Sequence, residues 1–292
     1  MKKIYSIGGN GLIGSRVEEL LRDKYIFTTV SSSMGVDITN PQSLKQLTSD
    51  TEHEIVVLFA AKTDVDGCEL DKPLGENGDA WKINVLGVEN VVEACKQNHK
   101  KLIYISTDFV FDGENTPDGG YTEEDRPNPI NWYAKTKYEG EKVVQTSGLD
   151  FLILRVAYPY RAVFEKKKDF VRAILGRLES GGEIKGITDH IYCPTFIDDI
   201  AYALQVLLDQ DETGIFHVTG SGSLSPYDAS LLIAKTFEID VSLIGKTTRA
   251  EYFAGKAPRP FNLSMNNAKI SKLGVSMHSF KEGLDEMKKQ LE

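Results

Sequence analysis

The sequence predicts an α/β fold, a doubly wound parallel sheet with helices on both faces. Strand-like and helix-like segments alternate from the N-terminus to about residue 157. Ile55–Ala60 is a continuous apolar run, as a strand covered on both faces requires. A glycine-rich turn, Gly8-Gly9-Asn10-Gly11-Leu12-Ile13-Gly14, stands between the first strand and the first helix.

The elements follow in order. Lys3–Ile7 is a short strand running into the glycines. Leu12–Arg22 is a helix whose apolar residues are Leu12, Ile13, Val17, Leu20 and Leu21. Ile26–Val30 is a strand and Pro41–Leu47 a short helix. A long helix spans Ala80–Asn98. Leu102–Ile105 and Phe151–Val156 are buried strands, with a helix over Tyr133–Thr146 between them. Beyond residue 157 the strands shorten and polar turns such as Thr219–Ser223 multiply. The reading is a Rossmann-type nucleotide-binding domain over 1–157. A smaller substrate-binding region covers 158–292, with segments free to return to the first domain.

A chain of 292 residues suggests one or two domains. With 41% hydrophobic and 26% charged residues it has the composition of an ordinary globular protein. The net charge of −9 repels a phosphate backbone, so no nucleic-acid partner is expected. No run approaches the roughly 18 apolar residues of a membrane helix, and no membrane partner is expected. The apolar segment Ile4–Ile7 is too short for a signal peptide. Cys68, Cys95 and Cys193 are odd in number and scattered, which reads as reduced thiols in a cytoplasmic protein.

Gly8, Gly11 and Gly14 are spaced as in a dinucleotide-binding turn. Glycine tolerates positive φ, and its missing side chain lets the backbone approach a pyrophosphate at a helix N-terminus. Asn10, Leu12 and Ile13 complete the turn. NAD enzymes carry a carboxylate about 20 residues later, for the ribose 2′-hydroxyl. Here Ser31-Ser32-Ser33 occupy that place. NADP is therefore the expected cofactor, with NAD as the alternative, and Arg16 is a candidate positive charge for the 2′-phosphate. Asp37-Ile38 is a candidate adenine-edge contact, a helix cap being the other reading of Asp37.

Tyr133 and Lys137 form a YxxxK pair, which a helix places on one face. A phenol at its reference pKa of about 10 is a poor acid–base group at neutral pH. A neighbouring ammonium favours the phenolate. Tyr133 then protonates an alkoxide as hydride arrives. Ser106-Thr107 ends the preceding strand, at the sheet edge where ligands bind, and the Thr107 hydroxyl is placed to hold a carbonyl oxygen.

This combination resembles the extended short-chain dehydrogenase/reductases. The resemblance narrows through Ala60–Asp66, Asn84–Asn90, Ser106–Gly113, Tyr121–Asp125, Tyr133–Glu141, Cys193-Pro194-Thr195, Gly214–Gly220 and Arg259-Pro260. Together these are similar to the dTDP-4-dehydrorhamnose reductase family over nearly the whole chain. The resemblance implies NADPH-dependent reduction of the 4-keto group of a nucleotide sugar, dTDP-4-dehydro-L-rhamnose first. It implies that Thr107 positions the keto oxygen, Tyr133 is the acid, and Lys137 binds the nicotinamide ribose. Ala60, Ala61, Lys62 and Thr63 would line the cofactor, with Thr63 also near the sugar and Asn84 in mid-cleft or packing a helix. Asp108, Phe109, Tyr158 and Arg259 would meet the substrate. A homodimer is compatible with it.

Some positions depart from the family pattern. Phe109 stands where Tyr is usual, Tyr158 where a Trp covers the sugar, and Lys62 where an aromatic is common. Ser15-Arg16 occupy the place of an acid that binds magnesium in some members, so no metal is expected. Two other readings share the pattern. One is a non-catalytic NADP-binding subunit, as in the regulatory subunit of methionine adenosyltransferase. The other is a reductase or epimerase of a different nucleotide sugar. Outside the pattern, Lys166-Lys167-Lys168 reads as a solvated face, with attraction of a diphosphate as the alternative. The acidic run Glu123-Glu124-Asp125 reads as a solvated loop, and His190 is the histidine most able to face substrate.

Overall fold

The computed structural model describes residues 1–292. Its strands are β1 (Lys3–Ile7), β2 (Ile26–Val30), β3 (Ile55–Leu58), β4 (Lys101–Thr107), β5 (Phe151–Val156), β6 (Pro159–Tyr160), β7 (Ile184–Ile187), β8 (Thr195–Phe196), β9 (Gly214–His217) and β10 (Ile244–Thr247). The α-helices are α1 (Gly14–Leu21), α2 (Lys45–Ser49), α3 (Val65–Asp71), α4 (Asp79–Trp81), α5 (Gly87–Lys96), α6 (Trp132–Gln145), α7 (Phe170–Glu179), α8 (Ile197–Asp209), α9 (Pro226–Thr236), α10 (Arg249–Tyr252), α11 (Ala268–Ser271) and α12 (Phe280–Leu291).

The main sheet runs β2-β1-β3-β4-β5-β9, and all its pairings are parallel. Alternate strand residues serve opposite faces, and both faces are covered, so the central strands are apolar over most of their length and β3 is so throughout. Ile4, Val57, Ile103, Leu152 and Leu154 pack toward α1 and α8. Tyr5, Val56, Leu58, Leu102 and Ile153 pack toward α5 and α6. The order of strands reverses between β1 and β3, and a ligand crevice is expected outside the strand ends there.

The long helix predicted over 80–98 is one helical run with a π turn inside it. Lys82–Leu86 is wound as π between α4 and α5. Such turns cost helix geometry and concentrate at functional sites. α3 has no counterpart in the sequence reading. Only Cys68 of its residues is buried, so it lacks a clear apolar stripe.

Residues beyond 157 do not stay apart. β9 pairs with β5 from Leu152↔Gly214 to Arg155↔His217, and α8 helps cover one sheet face. The remaining segments build a smaller layer around Tyr160, Phe196, Phe280 and Leu284, with short parallel pairs β6–β8 and β7–β10. No helix is long and apolar enough to cross a membrane.

A buried ion pair fixes the helix that matters most for the site. Arg155 Nε and Nη2 donate to the two Glu141 oxygens at 2.9 and 2.8 Å. Both side chains are almost fully buried. This bidentate pair holds α6 against β5 in a fixed rotation.

Candidate functional site

A cleft of about 980 Å³ opens at the C-terminal edge of the sheet. The first turn, Gly8–Gly14, forms one wall. Gly8 has φ +80°, and a Cβ there would lie 2.7 Å from the Ala60 nitrogen. A Cβ on Gly14 would lie 2.6 Å from the Gly9 Cα. Both glycines are required by close approach of backbone to backbone. Gly11 N–H donates to Gly8 O at 3.0 Å, while the amides of Leu12 and Ile13 find no protein acceptor. Free amides at the start of α1, beside an unobstructed glycine turn, fit the pyrophosphate of a dinucleotide.

Gly8, Asn10, Gly11, Leu12, Ile13 and Gly14 all line this cleft. Ser31, Asp37 and Ile38 line its adenosine-side end, and Ala60, Ala61 and Thr63 the stretch after β3. Asn10 Nδ2 donates to Ser31 Oγ at 2.9 Å and to Ser33 Oγ at 3.1 Å. The turn and the end of β2 thus form one hydroxyl-rich rim with no carboxylate in it. Asp37 closes a local turn by accepting from Thr39 N and Thr39 Oγ1, both at 2.9 Å. It caps no helix; Asn40 caps the next one.

Four sequence-derived expectations are corrected. Arg16 does not face the cofactor rim. Its Nε and Nη2 donate to Asp198 at 2.8 and 2.6 Å, tying α1 to α8. Lys62 and Asn84 do not line the cleft. Asn84 is buried beneath the wall. It accepts from Lys62 N at 2.9 Å and donates to Lys62 O and Thr136 Oγ1, both at 3.0 Å. The π turn aims it there, and its amide serves as a clamp between the loop after β3 and α6. Arg259 also stands back from the cleft. Its guanidinium donates to Asp66 Oδ1 at 2.8 Å and to Ala257 O at 2.7 Å.

The lysine run is exposed, as a solvated face requires, and it also borders the cleft. Lys166, Lys167 and Lys168 line the cleft, and Lys166 Nζ donates to Asn10 O at 3.2 Å. The acidic run is structural. Glu123 accepts from His217 N at 2.8 Å and Asp125 from Thr122 N at 2.7 Å.

Thr107, Asp108, Phe109, Tyr133, Lys137 and Tyr158 converge at the other end of the same cleft. Thr107 comes from the last residue of β4. Tyr133 and Lys137 come from the first turns of α6, started by Asn131, whose side chain accepts from Ala134 N at 2.8 Å. Thr107 Oγ1 donates to Asp108 Oδ1 at 3.0 Å and accepts from Phe109 N at 3.2 Å. Phe109 packs edge-on to Tyr133, with centroids 6.0 Å apart.

The electrostatics of these residues follow from burial. Desolvation raises the Tyr133 phenol above its ordinary value, and the nearby Thr107 hydroxyl offsets this in part. Desolvation lowers Lys137 to about 7, against a weaker pull from Glu141. Asp108 is pushed up to about 7, mainly by burial. The sequence reading had the Lys137 cation favouring a phenolate. In the protein alone, burial favours the neutral phenol instead. Ser106 Oγ and Asp108 Oδ2 are buried without partners. Unpaired polar atoms facing a cleft are what a polar substrate satisfies.

Tyr158 carries φ +41°, an uncommon conformation for a bulky residue. Its hydroxyl pairs with His190 Nε2 at 2.9 Å. His190 is buried behind it and does not itself line the cleft. Asn84 and His190 act behind the cleft rather than in it, and a motif gives no sign of such depth.

Comparison with known proteins gives these relationships. The family model described as "RmlD substrate binding domain" matches residues 1–292. The dTDP-4-dehydrorhamnose reductase of Aggregatibacter actinomycetemcomitans is 31% identical over 283 residues, 92% of each chain. The mouse methionine adenosyltransferase 2 subunit beta is 29% identical over 86% of this chain and 74% of its own. The crystal structure of dTDP-4-dehydrorhamnose reductase from Bacillus anthracis, in complex with NADP, is 29% identical. It superposes with a TM-score of 0.89, over 99% of this chain and 100% of that one.

Proposed function

The chain belongs to the RmlD substrate binding domain family, and from that premise we infer that it is an NADPH-dependent nucleotide-sugar reductase. The reaction is reduction of the 4-keto group of a nucleotide sugar, dTDP-4-dehydro-L-rhamnose to dTDP-L-rhamnose. One observation carries the reading most directly. Thr107, Tyr133 and Lys137 share a single cleft with the Gly8–Gly14 turn. NADPH supplies the hydride when bound.

The residues of the chain supply the rest. The amides and missing side chains of the glycine turn hold the pyrophosphate. Thr107 Oγ1 orients the keto oxygen by turning its proton away from Asp108. Tyr133 stays protonated at neutral pH because burial raises its pKa. It donates that proton to the oxygen as hydride reaches the carbon, so the carbonyl becomes a secondary alcohol and Tyr133 a phenolate. Lys137 then takes a positive charge readily near pH 7 and stabilises that phenolate. Asp108 and Tyr158 contact the sugar. In this reading residues 1–157 hold most of the cofactor, the 161–169 loop borders it beside the glycine turn, and the other segments of 158–292 outside the sheet cover the sugar nucleotide.

NADP is the expected cofactor, because the rim at Ser31 and Ser33 offers hydroxyls and no carboxylate. NAD is the alternative. Titration of NADPH and NADH by nicotinamide fluorescence tests this; tighter binding of NADH would contradict it. The relationship to methionine adenosyltransferase 2 subunit beta supports a second reading, a cofactor-binding partner subunit without turnover. Stoichiometric capture of a larger enzyme, with no NADPH oxidation on a panel of dTDP-, UDP- and GDP-linked keto sugars, would favour it.

A further inference from the structure

We propose that Lys166, on the loop between β6 and α7, supplies the positive charge that selects the 2′-phosphate of NADP. The inference rests on reading the cleft as a dinucleotide site and adds a specificity-determining residue to it.

The first support is position. Lys166 Nζ donates to the Asn10 carbonyl at 3.2 Å, and the Asn10 side chain donates to Ser31 and Ser33. One short chain of contacts therefore links this ammonium to the hydroxyl rim where a ribose 2′ substituent lies in such folds. The sequence offered Arg16 for this charge. Arg16 is committed to Asp198 and Glu19 and points elsewhere.

A second support is that the loop is built rather than loose. Arg172, from α7, donates to the carbonyls of Phe164 and Lys167. Asp169 holds Arg172 in turn, accepting from its Nε at 2.7 Å. At the other end of the loop, Arg161 donates to Ser15 Oγ at 2.9 Å, on the first turn of α1. The backbone of 161–169 is thus clamped across the mouth of the glycine turn. Its lysines are exposed and do not pair with any carboxylate of the chain.

The third support is charge. Asp169, at this end of the cleft, is paired with Arg172. Asp37 also lines it and keeps its charge, held only by the neutral Thr39 N–H and hydroxyl. The lysine run supplies the cations that offset that charge, and a bond from Lys166 to a dianionic phosphate is charge-assisted. Lys168 leans back over α7, within 3.0 Å of where a Cβ on Gly176 would be. Lys166 is the residue of the run whose ammonium contacts the glycine turn.

The test is binding to the full-length protein, by calorimetry or fluorescence, of NADPH, NADH and 2′,5′-ADP. The last carries the 2′-phosphate without nicotinamide. Lys166→Gln is expected to weaken NADPH and 2′,5′-ADP about tenfold while NADH changes by less than about twofold. Lys166→Arg is expected to retain the preference. Lys185→Gln, at the exposed position of β7, serves as the charge-matched control and should change none of the three. Equal loss for NADPH and NADH would overturn the proposal by assigning Lys166 to the pyrophosphate. Unchanged binding of all three in Lys166→Gln, with a wild-type thermal midpoint, would also overturn it. If the wild-type protein binds neither dinucleotide, the reading of the cleft fails first, and that outcome is distinct from both.

Discussion

Lys137 Nζ donates to the Ile105 carbonyl at 2.8 Å and sits 4.0 Å from the centre of the Tyr104 ring, without a carboxylate partner of its own. The nearest opposing charge, Glu141, is spent on Arg155. The ammonium is therefore buried on a carbonyl and a ring face, which explains why its pKa falls from 10.5 to about 7.

A lowered lysine pKa has a definite sign in stability. Between about 7 and 10.5 the unfolded chain binds the proton that the folded one has released. This group therefore costs the fold more as pH falls through that window. Lys137→Met removes the cost. Its thermal midpoint relative to wild type should be more favourable near pH 7 than near pH 10. Equal differences at both ends would contradict the assignment.

Tyr158 and His190 form a positioning pair. His190 Nδ1 lies 2.7 Å from the Pro260 carbonyl, so Nδ1 carries the proton and Nε2 accepts from the Tyr158 hydroxyl. Burial lowers His190 to about 4, which keeps it neutral in that role. Tyr158→Phe should raise KM for the sugar nucleotide severalfold, toward about tenfold, with NADPH affinity unchanged. His190→Leu should do the same from behind. His190→Gln, which keeps an acceptor, should recover much of the loss. A His190→Leu enzyme with unaltered KM would dismiss the pair.

Asn84 is a clamp rather than a ligand in the cleft. Removing its amide takes the partner from Lys62 N and from Lys62 O, and one of the two bonds from Thr136 Oγ1, which keeps its bond to Tyr133 O. Asn84→Ala should cost about 2–4 kcal/mol of unfolding free energy, with NADPH affinity changed far less. Urea denaturation beside an NADPH titration checks both. A collapse of cofactor affinity at wild-type stability would return Asn84 to the cleft.

These residues also show what the sequence made legible. Ile26–Val30 and Phe151–Val156 are strands with those same bounds; the second is a buried, mostly apolar run, and the first an edge strand marked by β-branched and aromatic residues. The glycine turn and the Tyr133–Lys137 spacing were local patterns with local geometry. The π turn at Lys82–Leu86 was hidden, since it keeps the helical periodicity on either side. α3 was hidden by its polar surface. The misplaced side chains share another cause. Arg16 meets Asp198 across 182 positions, and Lys166 meets Asn10 across 156. A charge can be counted in a sequence, but the partner that captures it is chosen by tertiary packing. His190 was noticed as facing substrate, yet only the structure shows it acting through Tyr158.

The central claim is that Tyr133 protonates a keto sugar reduced at this cleft. The most direct measurement is NADPH oxidation with dTDP-4-dehydro-L-rhamnose, for wild type and Tyr133→Phe side by side, with NADPH binding measured on both. The account predicts wild-type turnover on the order of 1 s⁻¹ or more. It also predicts a loss on the order of 10²-fold or more in Tyr133→Phe with cofactor affinity retained. Equal turnover by the two proteins, or none by a wild-type protein that binds NADPH, would contradict it.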